Sequence, residues 1–302
     1  MKKLSLTILS VFIVTGLMAQ VEVGKAKSNI MGKSKLMAMP VSELLMDHFH
    51  VNFTLYSYAQ DAGGSSNVAL SSKVGVKSNL VEVDKALAQE ITNEAYAYFV
   101  DQWKQRGVTL TLASKEDLES NKVYQKAVKK KKPASIINGG VNEVSEKKVH
   151  TMQAWPEGVN IASTGNGPLA KYGNGAHFFV PGEGKWTGFN ATMDFISYKT
   201  AKIGSSASVK SRPKLTLTGG LFTQIWEKFK IGGYLGGISA EGTEDFYSDV
   251  KKDEISALGT KMVTNNYVAD RAKFKTGAIE LLKASMDASF ADYDETVAKN
   301  RK

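Results

Sequence analysis

The sequence predicts an α+β fold: a mixed or antiparallel sheet, two helices packed on its amino-terminal half, a β-rich and glycine-rich second half, and a long carboxy-terminal helix. Three observations lead there. Residues 51–56 alternate apolar and polar side chains, the period-two signature of a half-buried strand. Two later stretches instead space their apolar residues three and four apart, the signature of a helix face. Extended, alternating runs then return between residues 191 and 231, separated by glycine pairs.

Taken in order, the strand Val51-Asn52-Phe53-Thr54-Leu55-Tyr56 leads into a turn, Gly63-Gly64-Ser65-Ser66-Asn67. A second extended run ends at Leu80-Val81-Glu82-Val83, so the two read as a long hairpin. Asp84 is a good N-cap for a helix carrying Leu87, Ile91, Ala95, Tyr98, Phe99 and Trp103 on one face, and Gly107 suits the position after its end. Val108 to Leu112 is again a strand. Ser114 and Asp117 form a capping box for a further helix through Leu118, Val123, Tyr124, Ala127 and Val128, which Pro133 stops.

From Gly139 to about Gly188 the chain reads as irregular, with seven glycines between Gly165 and Gly188. Strand patterns resume at Ala191–Tyr198, Lys214–Thr218 and Leu221–Ile231. The stretch from Glu241 to Glu254 holds six acids and reads as a solvated loop. A helix from about Ala269 to Val297 closes the chain, striped with Phe274, Ala278, Leu281, Leu282, Met286, Phe290 and Tyr293. The expected organisation is a signal peptide at 1–19, a flexible mature amino terminus at 20–46 and one α+β domain at 47–302. That domain divides naturally into an α/β unit, 47–138, and a β-rich unit with the final helix, 139–302.

The leader rests on a short run of features. Lys2 and Lys3 precede an apolar run from Leu4 to Met18, shorter than the roughly 20 residues that cross a bilayer, and Ala19 offers a small residue for cleavage. The chain is therefore expected to be exported, to the periplasm, the outer membrane or the medium, with no transmembrane segment after maturation. Losing residues 1–19 removes two lysines and no acid, taking the formal charge from +9 to +7. Cysteine is absent, which excludes disulfides, thiol catalysis, iron–sulfur clusters and attachment through a lipobox cysteine. An exported chain also meets little ATP or NAD, so no cofactor is expected.

Catalytic motifs fail one by one. Gly165-Asn166-Gly167-Pro168-Leu169-Ala170 fits G-x-G-x-x-A, but Tyr172-Gly173-Asn174-Gly175 cannot sustain the helix that would meet a pyrophosphate. Gly182-Glu183-Gly184-Lys185 lacks the spacer and the hydroxyl residue of a phosphate loop. Tyr247 and Lys251 have Y-x-x-x-K spacing without an upstream glycine fingerprint. The acids between 241 and 254 lack the calcium-loop pattern.

Three sets of binding candidates remain. His48 and His50 share one strand face, as two metal ligands would. Lys126, Lys129, Lys130, Lys131 and Lys132 sit in a basic run suited to an acidic glycan or an anionic envelope protein. With only four arginines in the chain, nucleic acid is not an expected partner. Trp155 and Trp186, next to proline and glycine, are candidates for stacking on sugars, with Trp226 a weaker third.

Residues 81–128 resemble the amino-terminal strand–helix–strand–short-helix module of exported domains of the CsgG and TolB type. The residues that carry this are Asp84 to Trp103, Gly107, Val108 to Leu112 and Ser114 to Leu118. Where such modules have S-G-[RK]-F, this chain has Gln105-Arg106-Gly107-Val108. The resemblance implies a non-enzymatic role in the cell envelope and assigns no functional residue. The function expected is therefore an exported envelope protein that binds a partner or surface or assists assembly. The alternative is a secreted hydrolase or carbohydrate-binding protein using dispersed carboxylates and tryptophans.

Overall fold

The computed structural model describes residues 21–25, 27–32, 41–62, 72–120, 125, 128–130, 134–145, 148–164, 184–203, 206–227, 230–257 and 259–300. The leader, the G-x-G-x-x-A run, Gly182 and Glu183, Lys126, Lys131 and Lys132 lie outside them.

Among the described residues twelve strands join in one mixed sheet. They are β1 (Glu22–Val23), β2 (Lys27–Gly32), β3 (Glu43–Ala62), β4 (Lys73–Val81), β5 (Thr109–Leu112), β6 (Ala134–Ser145), β7 (Val149–Thr164), β8 (Gly184–Ile203), β9 (Ser206–Glu227), β10 (Lys230–Glu241), β11 (Tyr247–Ala257) and β12 (Thr260–Ala269). Along the sheet the order is β1-β10-β9-β8-β3-β4-β12-β11, with β2 on β10, β5 and β7 on β3, and β6 on β7. The helices with described bounds are α1 (Lys85–Gln105), the short α2 (Lys115–Ser120) and the terminal α3 (Arg271–Asn300). The fold is thus mostly sheet, with the terminal helix where its stripe places it.

The caps form as the sequence suggests. Asp84 Oδ1 accepts from Leu87 N at 2.8 Å, and Gly107 takes φ +71, the left-handed position after a helix end. Ser114 and Asp117 bond each other reciprocally across the first turn of α2. The β3–β4 hairpin is antiparallel, as expected.

Three stretches differ from expectation. Residues 134–164, read largely as irregular, form the β6–β7 hairpin. Its glycines serve as bulge points rather than loop, since the register shifts between Asn138 and Gly140 and Gly139 holds φ +64. The acidic stretch expected as a loop is mostly strand β11, antiparallel to β12. Its charges alternate onto two exposed faces, a pattern that hides strand periodicity from a search for apolar residues. Within the segment expected to be a flexible mature amino terminus, 20–46, β1 and β2 pair with β10.

Strand β3 organises the molecule. Residues 45–53 pair in parallel with β8, and residues 56–62 pair with β4. A bulge in β8 between Asp194 and Ile196 lies at the level where the sheet divides. Beyond it the outer β8–β9 hairpin turns back over β4 and β12. Tyr198 Oη donates to Ser57 O at 3.0 Å, Asn265 Nδ2 to Ser211 Oγ at 3.3 Å, and Phe195 meets Tyr267 edge-on at 5.9 Å.

One face of the central sheet is closed by α1 and α3. Phe49 packs on Tyr96 and Phe99 of α1, and Phe53 on Phe274 of α3. Phe99, Trp103 and Phe290 join the two helices through edge and tilted ring contacts 5.1 to 6.4 Å apart. Around that seam run Glu94–Lys283 and Arg106–Asp294, with the Arg106 guanidinium 4.3 Å over the Phe290 ring. The partner numbers rise together along both helices, so α1 and α3 run parallel. The chain therefore uses one order twice, a hairpin followed by an Asp-capped helix. The second cap is Asp270, whose Oδ1 accepts from Ala272 N and Lys273 N. The two units meet at β4 and β12, parallel neighbours clasped by Asn79 Nδ2 to Asn266 Oδ1 at 2.7 Å.

Candidate functional site

The opposite face of the same strands carries polar side chains. Alternation along β3 turns Phe49, Val51 and Phe53 toward the helices, and His48, His50, Asn52 and Thr54 away from them. All four polar residues are nonetheless buried. Cross-strand register arranges this face into transverse rows. The longest runs Gln153 (β7), Asn52 (β3), Thr192 (β8), Thr218 (β9) and Ser239 (β10). Beside it on one flank lie His50 and Asn190, and on the other Thr151, Thr54, Asp194 and Thr216.

Burial falls steadily along the long row. Gln153 is 4% exposed and Asn52 6%, Thr192 is half-buried, and Thr218 and Ser239 are exposed. The row is deep at β7 and opens at β9 and β10. Asn52 Nδ2 donates to Thr192 Oγ1 at 3.3 Å, and Thr54 Oγ1 donates to Asp194 Oδ1 at 2.5 Å. At the deep end Asn52 Oδ1, Gln153 Oε1 and His50 Nδ1 are buried with no hydrogen-bond partner. Orphaned buried polar atoms are rare because each forfeits its water without compensation. Three of them lie on adjacent register positions here.

Burial shifts both His50 and Asp194 on this face toward their uncharged forms. Burial, helped by neighbouring His48, lowers the His50 pKa to about 3, so its imidazole is uncharged at ordinary pH. Burial raises the Asp194 carboxyl, against the opposing bond from Thr54. At the open end Lys214 Nζ is 2.7 Å from Glu241 Oε2, which neutralises it.

The structure places the sequence candidates as follows. His48 and His50 do share a face, with ring centroids 5.7 Å apart. His48 lies flat on Phe222 at 5.2 Å and leans over Gly188, where any Cβ would strike its ring. No group of three or more His, Asp or Glu side chains suited to a metal occurs among the described residues. Lys129 and Lys130 are exposed. Trp155 and Trp186 are 2% and 4% exposed, so neither ring offers the open face that stacking on a sugar needs. Trp155 instead sits under α1, its carbonyl accepting from Gln89 Nε2 at 2.8 Å. Trp226 stands on β9, its side chain outside the described set. Tyr247 and Lys251 stand on an exposed strand, not on one turn of a helix.

Sequence reasoning missed the row itself. Its residues come from five strands spread over residues 52 to 239, and only their register makes them neighbours. One signal was available: the polar half of the Val51–Tyr56 alternation, read as solvent-facing, is buried. No helix among the described residues is long and apolar enough to cross a membrane. No family model matches the chain, and neither a curated protein nor a solved structure matches it.

Proposed function

We propose that this chain is an exported cell-envelope protein that works by binding a partner or surface rather than by catalysis. One observation carries the reading: the sheet face away from the helices presents a graded row of hydrogen-bonding side chains whose innermost atoms have no partner within the protein. Proteins tolerate the cost of such atoms where a ligand meets them. Exposed Lys129 and Lys130, part of the lysine run in the sequence, are a second candidate for meeting an anionic partner. Export rests on the amino-terminal pattern of lysines, apolar run and Ala19.

Fractionation of native cells with cross-linking tests the proposal. Recovery in the envelope fraction, joined to a defined partner, is the expected result. Recovery as free protein in the medium, with a polysaccharide-degrading activity that copurifies, overturns it.

A further inference from the structure

Strand β11 ends the sheet. It pairs with β12 along one side, and among the described residues nothing pairs with the other. From Ser248 to Ala257 every side chain is exposed, on both faces, so no described element overhangs that free side. A margin of this length leaves a row of backbone donors and acceptors without protein partners, the surface on which a further strand adds. The His48–His50 pair, by contrast, lacks a third described ligand.

One hydrogen bond fixes which amides face outward. Val250 N donates to Asp249 Oδ1 at 2.7 Å, so it points away from β12. Alternation along a regular strand then turns Lys252 and Glu254 outward as well, and Lys251 and Asp253 toward β12. Pairing with β12 is regular over this whole stretch, beginning at Asp249 after the register shift that follows Tyr247. Charges on an edge strand ordinarily keep other sheets away. Here Asp249, Lys251 and Asp253 alternate in sign on one face, and Lys252 and Glu254 do so on the other.

That order is complementary to itself in one register. Two copies placed antiparallel about a two-fold axis set one residue against its own twin. With Lys252 at the centre, Lys251 of each copy stands opposite Asp253 of the other. Those pairs fall at non-hydrogen-bonded positions, where opposed Cα atoms are about 4.5 Å apart and side chains are closest. The Lys252 twins fall at a hydrogen-bonded position, about 5.5 Å apart, with Glu254 of the other copy diagonal to each. Lys251 and Asp253 enter no ion pair among the described residues, so both are free to make one. Val250, Lys252 and Glu254 of the two copies exchange about six backbone hydrogen bonds across the joint. Neighbouring registers do worse. A centre at Lys251 opposes Asp249 to Asp253. A centre at Asp253 brings two carboxylates together at a close position and relies on Glu254, already 2.7 Å from Lys261 Nζ.

We propose that β11 pairs antiparallel with β11 of a second copy, centred on Lys252, so that one sheet runs through a homodimer. The contact goes beyond the binding reading above and does not depend on it. A joint of one strand pair is small beside a standard interface, so the dimer is reversible and forms in the micromolar range.

Sedimentation equilibrium of the purified mature protein over a concentration series tests the pairing. A monomer–dimer equilibrium is expected. Lys252→Pro removes an outward amide without touching the ladder to β12, and is expected to leave the protein monomeric with its melting temperature little changed. Asp253→Lys sets lysine opposite lysine twice and is expected to weaken the dimer about tenfold. Adding Lys251→Asp restores opposite charges, and this double variant is expected to dimerise as the wild type does. Both charge variants change exposed side chains, so the test stands even if the proline disturbs folding. Protein that stays monomeric at every concentration overturns the inference. So does a dimer unchanged by Lys252→Pro or by Asp253→Lys, or a loss in Asp253→Lys that the double variant fails to recover.

Discussion

The two faces of β3 solve the same problem in opposite ways. Phe49, Val51 and Phe53 lie fully buried in the core, Phe49 against Tyr96 and Phe99 of α1 and Phe53 against Phe274 of α3. His50 and Asn52, one residue away in each case, are buried nearly as deeply, each 6% exposed, but leave polar atoms unmatched. The first face is built for stability. The second gives up stability where the row of side chains is deepest, and natural proteins carry such deficits chiefly at functional sites. The difference shows that burial alone does not identify a core.

The comparison can be broken most forcefully on the helical side. Phe99 touches Phe49, Trp103, Phe189 and Phe290, so Phe99→Ala leaves a cavity at the meeting point of sheet and both helices. It is expected to cost about 3–5 kcal/mol in urea unfolding. A loss below 1 kcal/mol would mean that the two helices do not close this face.

On the polar side the expected effects depend on pH. The folded pKa of His50, about 3, lies below its unfolded value of 6.5. The uncharged form is therefore favoured by folding. The associated stability is complete above pH 6.5 and falls as pH drops toward 3, by about 1.4 kcal/mol per unit. His50→Leu is expected to remove this slope, seen as a smaller loss of stability between pH 7 and pH 4.5 than in the wild type. Parallel curves for the two proteins would show that His50 is not held neutral.

A smaller effect of opposite sign sharpens the contrast. Gln153→Met keeps the length of the side chain and deletes an unpartnered oxygen, so it is expected to raise stability by about 1 kcal/mol in the absence of ligand. A clear loss would show that Gln153 is satisfied and belongs with the core. Smallest of all, Lys283→Ala breaks the Glu94 pair at 2.9 Å on the exposed seam of the helices and is expected to cost about 0.5 kcal/mol. Thermal melts in low and high salt check it, since the difference between variant and wild type should shrink as salt is added.

Local signals in the sequence proved legible, and pairing between distant strands did not. Asp84, Gly107 and the Ser114–Asp117 box mark helix ends by chemistry confined to one turn, and each is found where that chemistry requires. The stripe from Phe274 to Val297 likewise predicts the buried side of α3. Residues 134–164 were missed because glycines at bulges look the same as glycines in loops. Strand β11 was missed because a strand exposed on both sides has no apolar alternation to detect. For the site, His48 and His50 were legible as a pair on one face. Gln153, Thr192 and Thr218 were not, since their neighbours are set by registers across some 20 to 140 residues of chain, an order of separation that local patterning does not encode.

The exposed strand β11 has a consequence for how copies of this protein treat one another. An outer strand with a free row of amides is an invitation for another sheet to join on. When two copies meet antiparallel about a two-fold axis, one residue must stand opposite its own twin. Over the four central positions of β11 that twin is Lys251, Lys252, Asp253 or Glu254; a register centred on Lys251 adds Asp249 opposite Asp253, like on like, whereas registers centred on Lys252 or Asp253 flank the twin with opposite charges, Lys251–Asp253 or Lys252–Glu254. Ile255, 71% exposed on the same strand, adds an apolar side chain to that margin. The charges along this margin thus discriminate among registers rather than forbid pairing, and any two-fold pairing they allow stops at two molecules, because the joint consumes the free edge of both.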